Sequence, residues 1–317
     1  MNVIFMEPVY KDYIWGGNRL KEEMGKNTPY EKTAESWEIS SNENGVCVIK
    51  NEEYKGKKLN DLFDDKKIKE SIFGKKCNSL KAFPILIKLI DAKDKLSVQV
   101  HPDDEYAKKI GFPNGKNEMW YVVSCGKEAQ IIGGLKENVT KEQLKEIIEN
   151  DEIKKYLNYI NIKQGDSIYI PANTVHAILQ DILVCEIQQN SDITYRIYDW
   201  DRTDKNGKSR VLHKKEAIEV IDPKKAPIIV HENKEEMCQK VVECDFFNVE
   251  KIDCKDCYKD TSNIDTFYTI TVIEGEGILE TSSNKYQIKK GESCLIPATL
   301  GEYKIEGKIK FLKAYVV

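Results

Sequence analysis

The chain has 317 residues, enough to bury a substantial core in one or two domains. Its 49 basic and 53 acidic residues give a formal charge of −4 spread along the chain, with no basic stripe to hold nucleic acid, so a small-molecule partner is expected. No apolar run approaches the roughly 20 residues that cross a bilayer, and residues 1–8 show neither a basic n-region nor an apolar h-region, so a cytoplasmic protein without a membrane partner is expected.

From the N-terminus, a weak helical pattern runs through residues 59–72. Strand-like runs follow at residues 81–90, 117–124, 167–171, 183–189 and 266–273, several of them ending on Gly or Pro signals. Between these runs Thr140 and Gln143 form a capping box, and Leu144, Ile147 and Ile148 continue at helical spacing. After residues 266–273, Gly275 and Gly277 read as a hairpin turn. Many short strands with few helices predict an all-β dominated fold of the jelly-roll or barrel kind, decorated by α-helices.

An internal repeat divides the chain. Residues 163–172 return as residues 289–298, 126 positions later, with six of ten residues identical. Self-similarity at that separation predicts two copies of one β unit, hence two barrels in tandem. The expected division is residues 1–200 for an N-terminal barrel, 201–240 for a helical or loop connection and 241–317 for a C-terminal barrel. The nine cysteines are odd in number and lack a framework spacing, so reduced thiols are expected. Cys254 and Cys257 form a C-x-x-C without a second ligand pair nearby, which disfavours a zinc knuckle.

The chain has four histidines: His101, His176, His213 and His231. Gln99 and His101 are two apart on an alternating segment, so they share one strand face. Glu118 opens the next strand-like run, where a hairpin could bring its carboxylate opposite. A turn written Gly165-x5-Pro171-x-Asn173-x2-His176 delivers another histidine. These four side chains could converge on one metal ion. His213 and His231 lie in charged surroundings and are read as non-catalytic. No histidine follows residue 231, so the C-terminal unit is expected to hold no metal.

The turn through Gly165, Pro171 and His176 resembles the second cupin motif, with Asn173 where that family has Gly; Asn is the non-Gly residue most tolerant of positive φ. With Gln99 and His101 in place of the first motif's two histidines, and Glu118 further on, the pattern resembles the type I mannose-6-phosphate isomerase family of the cupin superfamily. Segments 13–17, 35–40, 83–88, 98–103, 116–118 and 190–196 resemble that family's landmarks in order. The resemblance implies tandem cupin barrels, one Zn²⁺ per chain on Gln99, His101, Glu118 and His176, and a sugar phosphate substrate. It implies Trp15 and Lys88 as substrate-binding residues.

Only four of the basic residues are arginines, against 45 lysines, and Arg196, Arg202 and Arg210 lie close together. Where lysine is the default cation, arginine indicates a need for guanidinium geometry. The resemblance puts Asp192 and Arg196 at active-site positions, with Arg196 catalytic. For the general acid or base, Asp192, Lys116 and metal-bound water all stay open. Two other readings remain: a metal-dependent oxygenase, which Gln99 disfavours because such enzymes use a His-rich first motif, and a noncatalytic sugar-binding sensor, which would leave Arg196 outside the metal pocket.

Overall fold

The strand-like runs expected at 81–90 and 183–189 form adjacent antiparallel strands, Ile85–Ala92 and Ile182–Gln189, each buried along its whole length. Strands buried on both faces need cover on both sides, and in the computed structural model, which describes residues 1–136, 139–203 and 207–317, two further layers supply it. These strands lie in a seven-stranded sheet ordered Ile228–Val230, Ser167–Ile170, Glu118–Cys125, Ile182–Gln189, Ile85–Ala92, Glu35–Ile39, Val9–Lys11. Facing it is a five-stranded sheet ordered Tyr195–Tyr198, Val98–Val100, His176–Ile178, Gln130–Leu135, Leu157–Asn161. Trp15, Trp120, Ile131, Ile178 and Val184 form the core between them.

Helix Lys141–Glu149 covers the outer face of the five-stranded sheet together with Lys214–Val220, through Leu144, Ile148 and Ala217. The capping box at its start forms as expected: Thr140 Oγ1 accepts from the Gln143 N–H at 3.3 Å, and Gln143 Oε1 accepts from the Thr140 N–H at 2.9 Å. The weak pattern at 59–72 resolves into two short helices, Leu59–Asp64 and Lys69–Phe73. Their Phe63 and Phe73 pack on Phe83 and Phe267, joining the seven-stranded sheet to a third sheet. All nine cysteines are free. Among the described residues, no helix is long and apolar enough to cross a membrane.

The third sheet has nine strands, mostly from the C-terminal part, and curls over its own core of Ile270, Val272, Ile305 and Phe311. The N-terminal strand Ile4–Glu7 joins it by pairing with Ser293–Ile296. Closed barrels, as expected from the repeat, are not what the ladders form. In the first half the chain hops from one sheet to the other, as from Ile85–Ala92 to Val98–Val100 and from Glu118–Cys125 to Gln130–Leu135. The crossings are loops, so no hydrogen-bond ladder runs continuously around the unit.

The repeat has a structural counterpart. Its two copies yield the strands Ser167–Ile170 and Ser293–Ile296, entered through Gly165 at φ 91° and Gly291 at φ 88°. The Gly275 and Gly277 pair, by contrast, makes no turn. A 14-residue strand, Tyr268–Thr281, runs straight through it with a register shift between Val272 and Glu274. Gly275 has φ 74°, and a Cβ there would lie 2.1 Å from the Lys308 carbonyl oxygen, so the glycine serves a bulge and a close strand approach.

Candidate metal centre and active-site cleft

Register within the five-stranded sheet builds the first part of the site. Gln99 is the cross-strand partner of His176 on one side and of Arg196 on the other, so His176, Gln99 and Arg196 form one rung across three strands and share a face. His101 lies two residues beyond Gln99. The Asn173 turn is tied to it, because the Asn173 N–H donates to the His101 carbonyl at 2.7 Å. Asn173 takes φ 71°, the conformation anticipated for its place in the turn, and its Nδ2 donates to Asp103 Oδ2 at 2.8 Å. Glu118, first residue of its strand in the facing sheet, projects to the same point.

The ligand atoms of His101, Glu118 and His176 lie within 4.8 Å of one another, and this is the only such cluster of at least three His, Cys, Asp or Glu among the described residues. Their residues are 1, 0 and 1 % exposed. Each imidazole is oriented by a backbone carbonyl: His101 Nδ1 donates to Ile193 O at 2.7 Å and His176 Nδ1 to Thr174 O at 2.8 Å. With the proton on Nδ1, each ring turns an Nε2 lone pair inward. Lys116, which can only donate, approaches His101 Nε2 to 3.0 Å and agrees with that tautomer.

Burial and the Lys116 ammonium push the His101 pKa down to about 3, and burial lowers His176 as well, so both rings are neutral. Burial acts to raise Glu118, but the Lys116 ammonium, ion-paired with it, and the neighbouring His101 and His176 rings together outweigh burial and hold it well below the carboxylate range. Glu118 Oε1 is buried without a hydrogen bond, and it sits 3.3 Å from His176 Nε2. Two lone pairs facing each other are repulsive, and a cation between them converts that contact into coordination. The donor set therefore fits a metal ion. Gln99 borders the same point, its amide 3.5 Å from His176 Nε2, and a 180° rotation of the amide turns its oxygen there.

Gln99 and Lys116 also line a cleft of about 380 Å³, which the buried cluster backs. Trp15, Lys88, Asp192 and Arg196 all line it, so the residues expected to act on substrate share one space with Gln99 and Lys116, which border the His101, Glu118, His176 cluster. A second rung explains Lys88. Trp37, Lys88, Glu186 and Trp120 are successive cross-strand partners, and Lys88 Nζ lies 3.0 Å from Glu186 and 5.1 Å from the Trp37 ring centre. Burial opposes its charge, but Glu186 and Glu35 outweigh that and hold its pKa above the usual lysine value. Trp120 Nε1 donates to Glu186 at 3.0 Å, and its ring packs edge-on to His176. Asp192 is exposed at the rim and accepts from Asn44 Nδ2.

Arg196 is held on two sides: Nε donates to Ser97 Oγ at 3.2 Å and Nη1 to Val211 O at 3.0 Å. Burial and the neighbouring Arg210 lower its pKa from the usual arginine value. Sequence reasoning missed Glu35, Glu186, Arg210 and His213 as cleft residues. Charged residues inside otherwise apolar strands were the available signal for Glu35 and Glu186, and the rarity of arginine was the signal for Arg210. His213 had none. His231 lies away from the cleft, paired with Asp166 at 2.8 Å.

Residues 3–123 match the catalytic domain of type I phosphomannose isomerases, and residues 237–316 match the cupin domain of mannose-6-phosphate isomerases. The mannose-6-phosphate isomerase ManA of Bacillus subtilis is 41 % identical over 309 residues, 96 % of each chain. The Streptococcus mutans mannose-6-phosphate isomerase is 36 % identical over 98 % of each. The crystal structure of a mannose 6-phosphate isomerase from Bacillus subtilis superposes with a TM-score of 0.89 at 34 % identity, covering 99 % of both chains. By sequence and by fold, this chain belongs to the type I mannose-6-phosphate isomerase family.

Proposed function

We propose that the protein interconverts mannose 6-phosphate and fructose 6-phosphate, with one zinc ion held by Gln99, His101, Glu118 and His176. The observation that carries this reading is the rung His176, Gln99, Arg196, which puts a fixed guanidinium next to the metal-binding cluster on one sheet face. Aldose–ketose isomerisation moves a proton between C1 and C2 of the open-chain sugar through a cis-enediol, so negative charge on O1 and O2 sets the barrier. A bound zinc ion supplies Lewis-acid polarisation of those oxygens. Arg196 adds a preorganised positive charge in a partly dehydrated site. Asp192 and Lys116 are the candidates for the proton transfer and Trp15 and Lys88 for binding the sugar, a reading supported by their common place along the cleft.

Two imidazoles, a carboxylate and an amide oxygen suit zinc and leave the complex near +1. Gln99 weighs against an oxygenase, and Arg196 in the cleft weighs against a sensor. Supported by the shared turn and strand at Gly165 and Gly291, the chain reads as two related cupin units, residues 1–200 and 241–317, joined by 201–240, acting in the cytoplasm. A coupled assay for fructose 6-phosphate, run with and without a chelator, tests the function. Isomerisation should stop on chelation and return with zinc; full activity in a metal-free protein would refute it.

A further inference from the structure

Two cleft residues have no role in the isomerisation as assigned above. Arg210 and His213 line the cleft beside Arg196. His213 Nδ1 accepts the Arg196 backbone N–H at 3.2 Å, while the His213 backbone N–H donates to the Arg196 carbonyl at 2.8 Å. These bonds fix the ring and place its proton on Nε2, a donor with no partner among the described residues. Arg210 commits Nε and Nη2 to Asp199, with Nε at 2.7 Å, and Nη1 has no partner among the described residues. Asp199 is shared with Arg202 at 2.7 Å. One carboxylate thus serves two guanidiniums, with Arg196 adding a third positive charge.

The opposite wall has another character. There Lys88 stands between Glu35 and Glu186, so a dianion gains nothing from that lysine that the two carboxylates have not already taken. Asp192 at the rim is engaged by Asn44. Three of the chain's four arginines gather at the Arg210 end, in a protein that otherwise uses lysine. Guanidinium and imidazole N–H groups held in place suit phosphate oxygens, and like charges kept close are relieved by an anion between them.

We propose that Arg210 and His213 form the binding corner for the phosphomonoester group of the sugar and set the preference for phosphorylated over unphosphorylated substrate. This rests on the isomerase reading. It also fits the reacting end of an open-chain sugar lying at the metal cluster with its far end toward Arg210.

The test combines inorganic phosphate binding, measured by calorimetry on the metal-loaded protein, with the ratio of kcat/KM for mannose 6-phosphate to that for mannose. His213→Asn keeps an acceptor near Nδ1 for the Arg196 N–H and removes the Nε2 donor; Arg210→Gln removes the guanidinium. Each should weaken phosphate binding about 10- to 100-fold, as expected for one lost hydrogen bond to a charged group, and lower the substrate ratio by a similar factor. Unchanged phosphate affinity in a folded His213→Asn variant overturns the proposal. So does an equal loss on both sugars, which marks a role only in positioning Arg196. A wild-type protein that binds phosphate through these residues and isomerises neither sugar would sink the isomerase reading and leave the corner standing.

Discussion

Removing the Arg196 guanidinium should separate binding from chemistry. Arg196 lines the cleft and is fixed by Ser97 Oγ and Val211 O, while Nη2 has no partner among the described residues, so it can meet charge developing on the sugar oxygens at little cost in reorganisation. Losing one such preorganised donor is worth about 3 kcal/mol, or roughly 10²- to 10³-fold in kcat. Because the interaction strengthens mainly in the transition state, KM should move far less. Arg196→Lys should rescue little, since one ammonium cannot hold both anchors and still reach the substrate. Steady-state rates of fructose 6-phosphate formation give kcat and KM, and metal analysis of the same preparations should show a full complement. Wild-type kcat in Arg196→Ala would refute the assignment and leave Asp192, Lys116 or metal-bound water to carry the step.

The metal site yields two further predictions. His101→Ala or His176→Ala should lose the ion and the activity together while circular dichroism keeps its β signature; an active His176→Ala protein with full zinc would contradict the ligand set. Metal analysis of the wild type should find one tightly held ion per chain, and a second ion ligated beyond residue 240 would be incompatible with the proposed site. Asp91 gives a pH-dependent prediction. Burial pushes its pKa up to about 6, against the Arg19 N–H that donates to Oδ2 at 2.8 Å. A carboxyl raised on folding contributes stability in full below its unfolded value near 3.9 and loses it as pH climbs through 6. Asp91→Asn stays neutral and can keep the Arg19 contact, so its stability relative to wild type should rise by up to about 3 kcal/mol between pH 3.5 and 7.5. Urea denaturation curves that shift in parallel for the two proteins would remove the premise.

What could be read in the sequence followed from local chemistry. The capping box at Thr140 and the strand-like run at 183–189 each specify their structure within a few residues, and both formed there, the strand starting one residue earlier at Ile182. The shared face of Gln99 and His101 was legible because a strand's two-residue period assigns faces without knowledge of the fold, and His176 was legible from the turn through Gly165, Pro171 and Asn173. Other features depend on partners distant in sequence. Gly275 looks like a turn until the Lys308 carbonyl arrives 2.1 Å from where a Cβ would stand. His213 looks like a solvated helix start until its strand neighbour Arg196 takes up its Nδ1. Closure of the sheets into barrels depends on which loops cross between them, and no periodicity encodes that.

The pairing of Ile4–Glu7 with Ser293–Ile296 bears on the order in which the molecule is made. Met6 and Glu7 pair with Ile49 and Val48, but Ile4 and Phe5 pair with Leu295 and Cys294, which are translated nearly 290 residues later. At about 5 to 20 residues per second, that is on the order of 15 to 60 s on the ribosome during which the Ile4–Phe5 end of the strand lacks its mate and only the Met6–Glu7 end can pair. Contacts of such long separation form late and slowly. The Ile4–Phe5 edge is therefore open to chaperones and to other nascent chains until residues 293–296 have been made.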